Sequence, residues 1–543
     1  MRIALTFALA ALALGTLPAT ADDRPRTITL AYVADLHGQL ESHPELFWSG
    51  DRDELTTAGG VARIATAIRQ IRDERPGGVL FLDAGDTIQG SAAAAWTEGR
   101  AVIPAMNALG LDLALPGNWE VVYGKAAMLA RAEESRHPWI AANVRDAATG
   151  ERVFAPYLVR EIDGVKVAVI GFTDPDVPER QPPTYSRGLR FEPADVLPAL
   201  VEEVRSTERP DLVVLLTHVG LPKAVALAER LEGVDVILSG DTHERTYRPI
   251  VRGDTWVVEP GGFGSFLGRL DVTVAGGKVV DRRWELIELR ADRFAEAPDV
   301  KAIVAETLAP LRDRLDRVVG ASREPLVRYD VVETNLDAML SDALREASGA
   351  EVALSNGFRF AAPTLAGPIR ERDLWDWYPI TTKLKTGRVT GRQIRAFWER
   401  ELENVFAADP TKLFGGWVPR PSGLAIRFEA HAPKGRRVRS ITVDGRPLDD
   451  DRLYTIVACE REGDAPDKVC RIPDVADANV LDLDAHEAVR RYLAKHNPLE
   501  APAMGRVVAD DLPPRVRSQV LGPARPDGGS NPSATPHHPE PRP

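Results

Sequence analysis

Asp35-Leu36-His37 follows a short β-branched run at residues 27–34 and sets a carboxylate and an imidazole two positions apart on a chain leaving a sheet. Alone, an Asp-x-His pair is more often a satisfied surface pair. Four further runs end in the same kind of residue: Gly85-Asp86 after 79–83, Gly117-Asn118-Trp119-Glu120 after 111–115, His218 after 212–216, and Gly240-Asp241-Thr242-His243 after 234–238. Five strand ends carrying carboxylate, amide and imidazole groups predict one shared site rather than five polar caps. Those donors suit hard or borderline cations such as Mn²⁺, Fe²⁺, Mg²⁺ or Zn²⁺. Two cations about 3.5–4 Å apart can hold a hydroxide between them and clamp the oxygens of an in-line displacement. Asp86 is the predicted bridging carboxylate, and the predicted chemistry is hydrolysis.

The elements that must position these groups follow from periodicity. Residues 27–34, 79–82, 111–115, 166–171, 212–216 and 234–238 read as buried strands, bounded by turn residues and too short for helices. Residues 60–72 and 193–206 read as amphipathic helices between them. The pattern is that of a layered α/β domain, whose ligands bind just past the strand ends. Residues 297–320 predict a continuous connecting helix closing at Gly320. A smaller α/β unit follows, with a helix over 335–348, a strand over 352–354, the loop Ser355-Asn356-Gly357-Phe358-Arg359, and strands over 426–428, 441–443 and 454–458.

The chain has 543 residues, room for about three folded units. Its formal charge of −12 argues against a nucleic-acid polymer as partner. Met1-Arg2, an apolar run to Leu17 and Pro18-Ala19-Thr20-Ala21 predict a secretory leader at 1–21, too short and too broken by Pro18 to span a bilayer. The expected protein is exported, periplasmic or secreted, with no membrane span. Beyond 510 the composition turns to Pro, Gly, Ser and Arg, so 511–543 is predicted to be a disordered tail. Cys459 and Cys470 are the two cysteines, and a local disulfide and free thiols both remain open. A metal site here must rely on His and carboxylates.

With these residues the chain resembles the calcineurin-like metallophosphoesterases, and among them the secreted 5′-nucleotidase and UDP-sugar hydrolase family. The second unit resembles that family's C-terminal domain in Glu333-Thr334-Asn335-Leu336, Ser355-Asn356-Gly357-Phe358-Arg359 and Leu453-Tyr454-Thr455-Ile456-Val457-Ala458. The resemblance implies an α/β/β/α sandwich catalytic domain at 22–293, a linker helix at 294–322 and a substrate-binding domain at 323–510. It implies two divalent ions, Mn²⁺ favoured. Asp35, His37, Asp86 and His243 would hold the first, and Asp86, Asn118, His218 and Asp241 the second. Asn118 and Glu120 would be catalytic, while Asn356, Arg359, Phe414 and Trp417 would face a small-molecule phosphate ester, a nucleotide above all. The implied reaction is ester hydrolysis by a metal-bridging hydroxide.

Three departures from the family pattern bear on substrate. Trp119 stands where the family usually has the His that polarises or protonates the transferring group, and Asp241 stands where it usually has a His ligand. The stretch Arg461-Glu462-Gly463-Asp464-Ala465-Pro466 has no ring where nucleotidases place one wall of a base sandwich. Losing one wall costs on the order of 1–3 kcal/mol per stacked base. Trp119-Glu120 with Tyr123-Gly124, and Gly90-Ser91-Ala92 with Trp96, resemble the thiosulfohydrolase branch of the sulfur-oxidation (Sox) pathway. That likeness implies, as an alternative, sulfate release from a thiosulfonate on a carrier protein. A third reading, a degenerate binding protein retaining the fold, rests on Trp119 and Asp241.

Overall fold

The computed structural model describes residues 24–49, 52–357, 359–413 and 416–513. The predicted leader, and the predicted tail beyond Pro513, lie outside the described residues.

Two sheets form the N-terminal half. The first has the strand order Lys278–Glu288, Phe266–Ala275, Arg26–Val33, Val79–Asp83, Leu113–Ala114. The second runs Ile250–Arg252, Thr255–Val258, Val236–Ser239, Leu212–His218, Val165–Thr173, Tyr157–Ile162. Side-chain alternation decides which layer each residue joins. Val167, Val169, Val214 and Leu238 enter one cluster with Leu30, Leu80 and Leu82 of the first sheet. Ala168, Ile170, Val213 and Ile237 point the other way, onto helices Leu197–Glu208 and Leu221–Arg230. Helices Val61–Glu74, Ile103–Leu109 and Pro298–Leu308 cover the far face of the first sheet. The architecture is the expected α/β/β/α sandwich.

The expected strands and helices form, with shifted ends; the strand predicted over 111–115 shrinks to Leu113–Ala114. The connecting helix is a correction. Pro298–Leu308 is helical, but Pro310 has no backbone N–H to continue the ladder, and the chain passes through a single 3₁₀ turn and Arg312–Leu315. Val318 and Val319, predicted as helix, begin the strand Val318–Ser322.

The C-terminal half has a five-stranded sheet, Trp417–Ser422, Val352–Gly357, Leu453–Cys459, Lys383–Thr390, Ala476–Asp484, and a four-stranded one that includes Leu424–Phe428 and Val438–Val443. Helix Asn335–Ser348 starts where the Thr334 hydroxyl accepts the Asp337 N–H and stops at left-handed Gly349. The two halves meet through polar contacts: Gln39 donates to Asp376 at 2.8 Å, Gln89 to the Pro379 carbonyl at 2.6 Å, and Glu41 binds both Arg312 and Arg372.

Candidate metal centre

Parallel pairing brings the five predicted strand ends to one edge. Val33 lies beside Asp83 and Asp83 beside Ala114 in the first sheet, and Thr217 beside Ser239 in the second. Beyond these ends the backbone turns sharply. Asp35, His37, Asp86, Asp241 and His243 all have positive φ, from 51° to 90°. That region costs a non-glycine residue roughly 1–3 kcal/mol and concentrates at functional sites. It is what turns side chains on separate loops back toward one point. Gly117 makes room for the result: a Cβ there would stand 2.2 Å from Asp86 Oδ1.

Three imidazoles meet two carboxylates there, all essentially buried. Asp35 Oδ1 lies 3.3 Å from His243 Nε2, 3.8 Å from His218 Nε2 and 4.0 Å from His37 Nε2. Asp86 Oδ2 lies 3.1 Å from His218 Nε2 and 3.8 Å from His37 Nε2. Either carboxylate thus faces both sides of the cluster. Asp35, His37 and His243 form one group of donors close enough to share an ion, and Asp35, Asp86 and His218 another.

The outer nitrogens fix the tautomers. His37 Nδ1 faces the Gln89 carbonyl at 3.0 Å, His218 Nδ1 that of Ala84 at 2.6 Å, and His243 Nδ1 that of Arg359 at 2.6 Å. A carbonyl only accepts, so each Nδ1 carries a proton, and each Nε2, once its own proton is displaced, presents a lone pair inward. His37 and His243 Nε2 then face one another at 3.1 Å, an arrangement that calls for a cation. Asn118 Oδ1 is buried with no hydrogen-bond partner among the described residues, and His218 Nε2 has none of bonding geometry. The donor set fits divalent cations. Burial lowers the His37 pKa to about 4. At His218 and His243 burial acts in the same direction, but the carboxylates Asp86 and Asp35 outweigh it and raise both.

Glu120, predicted to be catalytic, has both oxygens engaged by the backbone. Its Oε2 accepts the Gly117 and Asp86 N–H groups at 2.6 and 3.0 Å, and its Oε1 those of Thr87 and Ile88 at 2.7 and 3.1 Å. It is buried and ties two strand-end loops together, so it is a positioning residue. Burial and the neighbouring Asp86 charge push its pKa up to about 8. Glu259, which sequence reasoning missed, does the same for a third loop, accepting from Ser239, Thr242 and the Glu244 N–H at 2.6–2.8 Å.

Asp241 sits beside the cluster with both oxygens engaged. Oδ1 accepts from Asn118 Nδ2 at 3.1 Å and from Arg180 Nη2 at 2.7 Å, and Oδ2 lies 3.4 Å from Arg359 Nη2. Burial opposes its charge, yet the two guanidiniums and His218 hold its pKa below the usual carboxylate range. Arg180, also missed, follows no recognisable motif and lies 61 residues from its partner.

A cavity opens from this cluster between the two halves, bounded by Trp119, Arg180, Arg359, Tyr378, Trp417 and Arg461 among others. Trp417 lies on its wall. Phe414 lies outside the described residues. Asn356 is on the strand Val352–Gly357, and its side chain is outside what is described. Cys459 and Cys470 line the cavity as free thiols.

Residues 28–245 match the calcineurin-like phosphoesterase family, and residues 318–460 match the 5′-nucleotidase C-terminal domain. The chain carries an N-terminal calcineurin-like phosphoesterase domain and a 5′-nucleotidase C-terminal domain. The family comprises metal-dependent phosphoric ester hydrolases. This phosphoesterase is 24% identical to UshA of Yersinia enterocolitica over 92% of the chain and 98% of the relative. Among solved structures it is similar to the sulfate thiohydrolase SoxB of Thermus thermophilus, with a TM-score of 0.81 and 27% identity over 92% of this chain and 99% of that one. It is also similar to a 5′-nucleotidase precursor from Thermus thermophilus, with a TM-score of 0.79 and 26% identity over 90% of this chain and all of that one.

Proposed function

We propose that the protein is an exported hydrolase of phosphate monoesters, acting on 5′-nucleotides or related small molecules with two divalent cations, Mn²⁺ favoured. The convergence of three inward-facing Nε2 atoms on Asp35 and Asp86 carries this reading. Asp35, His37, Asp86 and His243 would hold one ion, and Asp86, His218 and Asn118 offer donors for the other. Such ions supply Lewis acidity, activating water and polarising the phosphoryl oxygens.

The chain's own groups do the rest. Arg359 enters from the C-terminal half and binds the charge of the transferring group. Trp417 and Tyr378 bound the leaving-group side of the cavity. Glu120 and Glu259 hold the strand-end loops so that the donors stay in place. Export rests on the leader at 1–21, and among the described residues no helix is long and apolar enough to cross a membrane.

The test uses mature protein loaded with Mn²⁺, a panel of nucleoside 5′-monophosphates and UDP-sugars, and an aryl phosphate. Turnover that disappears in Asp86→Ala is expected. No turnover above that variant on any phosphate ester would remove the reading. A second reading draws on Trp119 at the cavity wall, where the resemblance leads one to expect a His, and on the SoxB likeness. It predicts sulfate release from a thiosulfonated carrier protein and no hydrolysis of nucleotides.

A further inference from the structure

Asp241 occupies a position expected to ligate a cation, but its surroundings give it another task. Its Oδ1 takes one N–H from Asn118 at 3.1 Å and one from Arg180 at 2.7 Å, and its Oδ2 and main-chain carbonyl lie 3.4 and 2.9 Å from Arg359 Nη2. Arg180 comes from the short helix Val177–Arg180 of the N-terminal half, whereas Arg359 comes from the C-terminal half. One carboxylate therefore holds two guanidiniums from opposite sides of the cavity.

Arg180 is held as firmly as a ligand-binding group should be. Its Nη1 donates to Asp174 Oδ2 at 2.6 Å, and Asp174 is fully buried at the end of the strand Val165–Thr173. Arg461 reaches across from the C-terminal half and donates to the Glu179 and Gln181 carbonyls at 2.9 and 2.8 Å, fixing the turn that carries Arg180. Both guanidiniums line the cavity. Each has five N–H donors in a planar fork, and the contacts above use only part of them.

We propose that Asp241 is not a cation ligand but the anchor of a two-arginine clamp, in which Arg180 and Arg359 together bind the oxygens of a tetrahedral oxyanion. By accepting the Asn118 amide N–H, Asp241 also leaves Asn118 Oδ1 as the atom free to serve a cation. The clamp deepens the proposed function, since it makes the site specific for a dianionic phosphoryl or sulfuryl group. It rests on that reading for the reaction but not for the binding.

The test measures two quantities that do not require turnover. Metal content per chain is read by elemental analysis after Mn²⁺ loading and dialysis. Affinity for inorganic phosphate is read by calorimetry on the same protein. Asp241→Asn is expected to keep the metal content of the unsubstituted protein, whereas His218→Ala loses metal. Arg180→Gln is expected to keep its metal and weaken phosphate binding about ten- to a hundredfold. Arg180→Lys, which retains the charge and the fold but not the fork, should fall between the two. Loss of one ion per chain in Asp241→Asn, or unchanged phosphate affinity in both Arg180 variants, would overturn the clamp. Phosphate binding that depends on Arg180 in a protein inactive on every ester would sink the proposed reaction and leave the clamp standing.

Discussion

The two sides of the site balance their charge differently. Around Asp35, His37 and His243, no guanidinium donates to a side chain among the described residues; the neighbours are lone pairs and carboxylates. Around Asp241, two arginines supply positive charge from within the chain. With its imidazoles neutral the first side is left anionic and suited to cations from outside, whereas the second is already satisfied and free to hold an anion. On the proposed reading, one wall of the cavity would recruit the metal and the other would read the charge of the substrate.

Asp35→Ala should break this contrast most completely. It removes the carboxylate shared by both donor groups, so we expect metal loss and a fall in kcat of about a thousandfold or more, read by elemental analysis and ester hydrolysis. Chelation should separate the sides without mutation. Metal removal is expected to lower Tm, because ligands that bind only the folded state stabilise it, by about 2.7 kcal/mol at a hundred times Kd. Chelator should leave the Tm of Asp35→Ala nearly unchanged.

Gly117→Ala sharpens the same point by geometry. The added methyl collides with Asp86 Oδ1, and metal affinity or activity should drop about 10–100-fold, whereas the same change at Gly78, whose φ is not left-handed and whose Cβ would meet nothing nearer than 3.7 Å, should leave both unaltered. Glu120→Gln replaces a carboxylate that accepts four N–H groups by an amide that accepts with one oxygen. A loss of about 1–3 kcal/mol of stability is expected, visible in denaturant titration.

The smallest effect concerns the seam between the halves. Asp376 is half-buried beside Asp373, and its pKa is pushed up to about 7 by desolvation and by that neighbour's charge. A carboxyl raised in the folded state binds more protons there than when unfolded. Its contribution is fully present below the ordinary carboxylate range and is lost as pH rises toward about 7. Asp376→Asn keeps the acceptor for Gln39 and should raise Tm at pH 8 more than at pH 5. Equal shifts at both pH values would show that the group does not titrate in this way.

The donors were legible because each follows a short β-branched strand, and parallel pairing brings such ends to one edge. Asp35, His37, Asp86, Asn118, His218, Asp241 and His243 do come together. What each of them does there was less legible. Asp241 and Glu120 are legible by residue type alone, whereas the N–H groups that surround them come from loops far away in the chain. Arg180 and Glu259 belong to no pattern: one ends a four-residue helix, the other follows a buried strand. The connecting segment was misread because its apolar spacing stays helical through Pro310, where the missing N–H ends the helix.

The hydrophobic clusters are partitioned in a way that bears on descent. The strands that deliver the imidazoles are rooted in the sandwich, whereas Leu354 and Ala458 on the opposing wall belong to a cluster made wholly of C-terminal residues, and Phe360, Tyr378 and Trp417 belong to one shared with Leu46 and Phe263. Changes around Leu354 and Ala458 need not disturb the packing beneath the donors, whereas changes at Phe360, which meets His37 edge-on, would. A lineage built this way can exchange one small molecule for another over time while its hydrolytic machinery is inherited intact.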